Sequence, residues 1–151
     1  MTRSPLRPLA AIAALALAAC SGADGRGPGA AGGEKPGGTV FLVQSQPQDA
    51  VMEALYQGTI VRDAQGCLRT EGADPATVVW PYGFTLEERG ADLQVKDGDG
   101  RVVGRIGGTF TFGGGHVPPG SYAFLPEPDR ATAAARCPGD VWIVGDTNLA
   151  R

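Results

Sequence analysis

The sequence from Thr39 to Arg151 predicts a small all-β domain, and two observations carry that prediction. Short runs of β-branched, aromatic and aliphatic residues recur along this region, each about four to seven residues long, as is typical of strands. Glycine, proline and aspartate separate the runs at close intervals, as expected of turns. An Ala-rich segment, 129–136, predicts one or two helical turns.

The predicted strands follow one another closely along the chain. Their runs lie at 39–43, 56–62, 67–70, 77–80, 84–87, 92–96, 101–106, 109–112 and 140–145. Between the first two, Asp49 to Leu55 could form a short helix with Pro47 near its start, or continue into the strand that follows. Thr109 to Phe112 alternates Thr and Phe, which predicts one aromatic and one polar face.

Two predicted turns and three glycines favour a small β-barrel. Asp97-Gly98-Asp99-Gly100 is the clearest hairpin signal, and Asp63 to Gly66 predicts a second turn. Gly58, Gly104 and Gly107 lie in or beside strands, where glycine permits the bends that close a small barrel. We therefore predict an OB-like or similar partly open barrel with one or two short helical segments; a β-sandwich is the alternative.

Charge and composition exclude some function classes. The chain has 13 basic and 16 acidic side chains, a formal charge of −3. Without Arg3 and Arg7, which lie in the first 19 residues, the basic count falls to 11 and the charge to −5. An acidic surface argues against a nucleic-acid partner, because Lys and Arg contacts to phosphate supply most of that affinity.

Residues 1–20 have the pattern of an export signal. Arg3 and Arg7 precede an uncharged run of Leu, Ala and Ile that is too short to span a bilayer but typical of a signal-peptide core. Leu17-Ala18-Ala19-Cys20 resembles the lipobox of bacterial lipoproteins. The resemblance implies that the Cys20 thiol receives a diacylglyceryl group and that cleavage before it makes Cys20 the first mature residue. The alternative is a plain secretory signal in which Cys20 is incidental.

The resemblance also implies a cellular location. A protein that carries more than one acyl chain, of which palmitate is a typical example, is stably anchored in the membrane. Ser21, in place of Asp, favours the outer membrane if the cell has two membranes. Residues 20–38 are glycine-rich and are predicted to be a flexible tether, because such a segment cannot bury enough apolar surface to offset its ordering entropy. The predicted organisation is a signal peptide, 1–19, a lipidated tether, 20–38, and a β domain, 39–151.

Two cysteines remain after Cys20. An even pair in an exported domain predicts a disulfide between Cys67 and Cys137. Closing a loop of about 70 residues would add roughly 4 kcal/mol in the chain-entropy model. Two free buried thiols or a redox pair are the alternatives, although the sequence lacks Cys-x-x-Cys.

No catalytic, metal or cofactor residues are predicted. His116, the one histidine, could pair with Ser45 or Ser121, but no Gly-x-Ser-x-Gly motif is present and a loop position after three glycines is the simpler reading. Zinc would need more Cys and His ligands. Asp97 and Asp99 have calcium-like spacing without the closing acidic ligands. The pair Glu87-Glu88 would face opposite sides of a strand.

One aromatic group is a candidate binding surface. Trp80, Tyr82 and Phe84 are two residues apart, so in an extended backbone all three rings would point the same way. They would form either part of the core or an exposed platform for a glycan or peptide.

These features favour a lipid-anchored module of the cell envelope with a binding or structural role. Its partners would be the membrane, through the anchor, and an envelope protein or cell-wall glycan. The alternatives are an envelope hydrolase or a cation-binding sensor. In its turn glycines, a Trp-Pro step and two cysteines, the sequence resembles a group of small exported bacterial domains of unknown function. This resemblance implies no activity. The residues that carry it lie at Gly58, 66–68, 79–81, Gly100, 113–115 and 137–139.

Overall fold

The structure, a computed structural model, describes residues 38–49, 52–145 and 147. The predicted signal peptide and all of the predicted tether except Gly38 lie outside these residues. The strands are β1 (Leu42–Val43), β2 (Ala54–Arg62), β3 (Leu68–Thr70), β4 (Thr77–Trp80), β5 (Thr85–Arg89), β6 (Asp92–Lys96), β7 (Val102–Arg105), β8 (Thr109–Val117) and β9 (Val141–Val144), with helix α1 at Glu127–Arg136. None of the described residues belongs to a helix long and apolar enough to cross a membrane.

Five strands close into a barrel. β2 pairs antiparallel with β3 and β8, β3 with β4, and β8 with β9. The ring closes where β4 and β9 lie parallel, with Thr77 opposite Val141 and Val79 opposite Ile143. Numbered along the chain, the barrel strands follow the order 1-2-3-5-4-1 of an OB-like barrel, so the predicted fold class is confirmed.

Aspartate side chains shape the two predicted turns. Asp63 Oδ1 accepts the backbone N–H groups of Gln65 and Cys67 at 2.9 and 2.8 Å, and Gly66 has a φ of 85° that favours glycine. Asp97 Oδ1 likewise accepts the N–H groups of Asp99 and Arg101. Both sequence signals therefore correspond to real turns, between β2 and β3 and between β6 and β7.

A second sheet is inserted between the third and fourth strands of the barrel. β5, β6 and β7 form an antiparallel sheet whose central residue Val95 is fully buried in the barrel's inner cluster. Phe84, Leu86, Val103 and Ile106 pack against the same cluster. The sheet therefore closes the barrel at the end where β4 finishes and β8 begins.

Apolar residues form two clusters, one inside the barrel and one outside its wall. The inner cluster contains Ile60, Leu68, Ala76, Val78, Trp80, Val95, Phe110, Phe112, Trp142 and Val144. The outer cluster lies between β4, β9 and helix α1 and contains Val40, Leu42, Cys67, Val79, Tyr122, Leu125, Ala133, Cys137, Val141 and Ile143. Strand alternation explains the division, since Val78 and Trp80 face inward while Val79 faces outward.

The first described residues lie against the barrel wall. β1 pairs parallel with the end of β4, and Val40 forms an isolated parallel bridge with Cys67. β1 thus lies between the beginning of β3 and the end of β4. Just before it, Arg136 donates to the Gly38 carbonyl at 3.1 Å, and Arg62 donates to Thr39 Oγ1 at 3.1 Å. These two arginines fix the point where the predicted tether joins the domain.

Two sequence expectations need revision. Gly113 to His116 is not a loop, because β8 continues from Thr109 to Val117 and pairs with both β2 and β9. Gly114 is required there, since a Cβ atom on it would lie 2.6 Å from Trp142 Nε1. In the segment 49–55, Ala54 and Leu55 belong to β2, whereas residues 50 and 51 lie outside the described residues.

Candidate functional site

The predicted disulfide is formed. Cys67 and Cys137 are both fully buried and their sulfur atoms are bonded. Cys67 follows the β2–β3 turn, and Cys137 follows the last residue of α1. Two neighbouring contacts reinforce the link, because Arg136 donates to the Gln65 carbonyl at 2.6 Å and Arg69 donates to the Pro138 carbonyl at 3.0 Å.

This link covers the face that OB-like barrels commonly use for ligands. That face lies on the second and third barrel strands, between the loop that joins strands one and two and the loop that joins strands four and five. Here those strands are β3 and β4, and the disulfide joins the two loops directly. Helix α1 and residues 122–125 pack on the outer cluster, and all four residues of β4 are buried. The usual groove is therefore filled by the chain itself.

The predicted aromatic platform does not form. Trp80 is fully buried and Phe84 stacks on it with ring centroids 6.3 Å apart. Phe41 stacks on the same indole at 5.8 Å, and only Tyr82 is exposed, at 56%. The core alternative is correct for Trp80, because the strand face that carries it points into the barrel.

The Asp97–Gly100 segment is a turn whose two aspartates form ion pairs with the next residue, Arg101. Asp97 Oδ2 accepts from Arg101 Nε at 2.9 Å, and Arg101 also forms an ion pair with Asp99. Desolvation raises the pKa of the Asp97 carboxyl, but hydrogen bonds from Arg101 and from the Asp99 N–H outweigh it and lower that pKa. The two carboxylates that would bind a cation thus already share one guanidinium as their ion-pair partner. Within the described residues, no group of three His, Cys, Asp or Glu is placed to hold a metal ion.

The other candidate groups are dispersed. His116 lies in β8 with its ring edge-on to Trp142, at a centroid distance of 4.8 Å. Among the described residues, no hydrogen bond connects it with Ser45 or Ser121. Ser45 instead lies on a cleft of about 290 Å³ between residues 45–49 and Phe124. Glu87 is held between Arg89 and Lys96, each at 2.5 Å, whereas Glu88 is exposed.

An aromatic group seals the barrel at the end away from the second sheet. We call Tyr56, Phe112, His116 and Trp142 the end cluster. Tyr56 stacks on Phe112 at 5.0 Å and contacts Trp142 at 5.6 Å. Its hydroxyl donates to the Thr59 carbonyl at 2.8 Å. Burial raises the pKa of Tyr56, and the negative charge of Glu71 raises it further, although a hydrogen bond with the Glu71 backbone opposes both.

Beside the end cluster, strand β2 has an unpaired edge. β8 pairs with β2 from Ala54 to Thr59, but β3 pairs with it only from Ile60 to Arg62. One more bond, from Glu71 N–H to the Thr59 carbonyl at 2.9 Å, extends the β3 side. On that side, residues 54–58 have no backbone partner within the described part of the chain. We call these five residues the open edge.

Exposed apolar side chains lie in the open edge and just before β2. Four large apolar side chains are exposed in the described residues, and two of them are Leu55, at 63%, and Met52, at 37%. Met52 lies over Gly115 of β8, on the outer face of the barrel. The sequence did not single out these residues, although alternation from Ile60 back through Tyr56 places Leu55 outward.

Comparison with known proteins adds no family. No family model matches this chain, and no curated protein or solved structure is significantly similar to it.

Proposed function

We propose that this protein is a lipid-anchored module of the bacterial cell envelope that works by binding a partner. The pairing of Cys67 with Cys137 is the observation that carries the proposal. It uses two of the three cysteines and leaves Cys20, at the end of the lipobox-like segment, as the third. A disulfide buried in the domain suits an oxidising compartment outside the cytoplasm.

The open edge of β2 lies far from the point where the tether would join the domain. The tether would join at Thr39, which lies beside Arg62 at the end of β2. Leu55 lies seven residues earlier in the same strand, which corresponds to roughly 23 Å at the rise of a β-strand. The open edge would therefore face away from the junction, towards soluble or surface partners.

Binding fits the described side chains better than catalysis does. His116 contacts an indole, Asp97 and Asp99 engage Arg101, and Glu87 engages two cations. Asp97, Asp99 and Glu87 thus have cationic partners with which a substrate would have to compete. We propose the outer membrane as the location in a cell with two membranes, on the basis of Ser21.

The anchor is tested by replacing its attachment point. In cells fed a clickable palmitate analogue, the wild-type protein should be labelled and found in the membrane fraction. Cys20→Ala should lose the label and leave that fraction, because it lacks the acceptor thiol. Its melting temperature should match that of wild type, since Cys20 is not part of the disulfide. Membrane retention of unlabelled Cys20→Ala would refute the lipid anchor.

A matched variant tests the proposed membrane. Ser21→Asp keeps Cys20 and should keep the label, while moving the protein towards the inner membrane in a sucrose gradient. Equal distribution of Ser21→Asp and wild type would remove the argument for the outer membrane without affecting the anchor.

A further inference from the structure

The open edge has backbone groups that point to its β3 side, where no strand of the described residues pairs with them. The Thr59 carbonyl accepts a hydrogen bond from Glu71, on the β3 side of β2. Backbone groups of alternate residues point to the same side of a strand. The N–H and C=O groups of Leu55 and Gln57 therefore point to the β3 side as well, where no strand of the described residues pairs with them.

Within the described residues, this edge lacks the features that usually prevent pairing. Native edges are commonly blocked by lysine, proline, a bulge or a covering segment. The sequence from Ala54 to Thr59 has no charged residue and no proline, and its register with β8 is unbroken over six pairs. Leu55 adds an exposed apolar side chain to the edge. Exposed main-chain groups next to an apolar contact are what an added peptide strand recognises.

The charged residues at the ends of the open edge indicate what kind of strand would pair with it. Exposed carboxylates of Glu53 and Glu71 lie at the two ends of the edge. A second copy of this chain, paired about Tyr56, would bring Glu53 of each copy towards Glu71 of the other, and like charges oppose that arrangement. A strand with basic residues at its ends would meet both carboxylates favourably.

We propose that the open edge, 54–58, binds an extended peptide segment of a partner protein by strand addition, and that this segment has an uncharged centre flanked by Lys or Arg. The inference rests on the proposed binding role and names its ligand class. Main-chain hydrogen bonds to Leu55 and Gln57 hold the segment, and its outward side chains contact Leu55. The carboxylates of Glu53 and Glu71 select the basic ends.

The test uses the full chain carrying Cys20→Ala, with its disulfide oxidised, so that peptide binding is measured independently of lipid attachment. The probe is an acetylated, amidated peptide of alternating valine and threonine between two lysines. Titration followed by amide NMR should shift and protect the Leu55 and Gln57 N–H groups. The same peptide flanked by aspartate should bind at least tenfold more weakly.

N-methylation of the probe tests the hydrogen bonds without changing the protein. Methyl groups on one set of alternate residues, whose N–H groups face β2, should abolish binding, whereas methyl groups on the other set should leave it within about twofold. Glu53→Gln with Glu71→Gln should weaken binding about fivefold and reduce its salt dependence. The control Glu88→Gln, at an exposed position of β5, should change neither the affinity nor its salt dependence.

Several results would overturn the proposal. They are absence of peptide binding at millimolar concentration, equal binding of both N-methylated peptides, or shifts that map away from 54–58. Dimerisation of the chain through Leu55 would also overturn it. None of these results bears on whether Cys20 carries lipid.

Discussion

Cys67 and Cys137 join the two loops that flank the ligand face of an OB-like barrel, with their Cα atoms 5.7 Å apart. The bond therefore both stabilises the barrel and closes the surface on which such barrels commonly bind. Because β1 and α1 cover the rest of that face, the surfaces available for a partner lie elsewhere, and the open edge of β2 is one of them.

Reduction of this disulfide should weaken the domain strongly. The two cysteines are 70 residues apart, and a loop of that size contributes about 4 kcal/mol in the chain-entropy model. Urea unfolding with and without reductant measures the difference, which we expect to be about 3–4 kcal/mol. In Cys67→Ala with Cys137→Ala, reductant should have no further effect. An unchanged unfolding free energy of the wild type in reductant would contradict the prediction.

Trp80 and Tyr82 should differ sharply when replaced by alanine. Trp80 is fully buried and contacts four phenylalanine rings, so Trp80→Ala should lower the free energy of unfolding by about 3–5 kcal/mol. Tyr82 is 56% exposed, and Tyr82→Ala should cost less than about 0.5 kcal/mol. Urea denaturation of both variants measures the contrast. Similar losses would mean that Trp80 does not fill the barrel core.

Gly104 should not tolerate a side chain. The Phe110 ring packs directly on it, and a Cβ atom would lie 2.6 Å from Phe110 Cζ. Gly104→Ala should therefore destabilise the domain by about 1–3 kcal/mol, because the ring has to move. Gly98→Ala is the matched control, since its nearest contact would be 4.0 Å away. Thermal melting of both variants measures the difference. Equal melting temperatures would show that Phe110 does not pack closely on Gly104.

The sequence predicts the strands well because their alternation is local. It also predicts the turns at Asp63 and Asp97, where an aspartate side chain and a following glycine act within four residues. It fails at Gly113 to His116, because glycine generally disfavours strands. There the absence of a side chain on Gly114 makes room for Trp142, which is nearly 30 residues away in the chain.

The candidate site depends on relationships that a single strand does not encode. Alternation places Trp80, Tyr82 and Phe84 on one side of an extended chain, but which side becomes the core depends on how β4 pairs with β9. The open edge is likewise defined by the length of β3, which ends at Thr70, so that among the described residues Leu55 has a strand partner in β8 but none on the β3 side. Such features require knowledge of the strand order.

Asp63 should make the domain sensitive to acid. Desolvation raises the pKa of its carboxyl, but hydrogen bonds from Arg69 and from the N–H groups of Cys67 and Gln65 outweigh it and lower that pKa. A lowered pKa in the folded state adds stability above the unfolded value, about 3.9, and this stability is lost as the pH falls through the folded value. Urea denaturation from pH 7 to pH 2.5 should therefore show a smaller decline for Asp63→Asn than for wild type. Arg69→Gln removes the guanidinium 2.7 Å from Asp63 and should also flatten the decline; parallel curves for all three proteins would exclude Asp63 as a source of acid sensitivity.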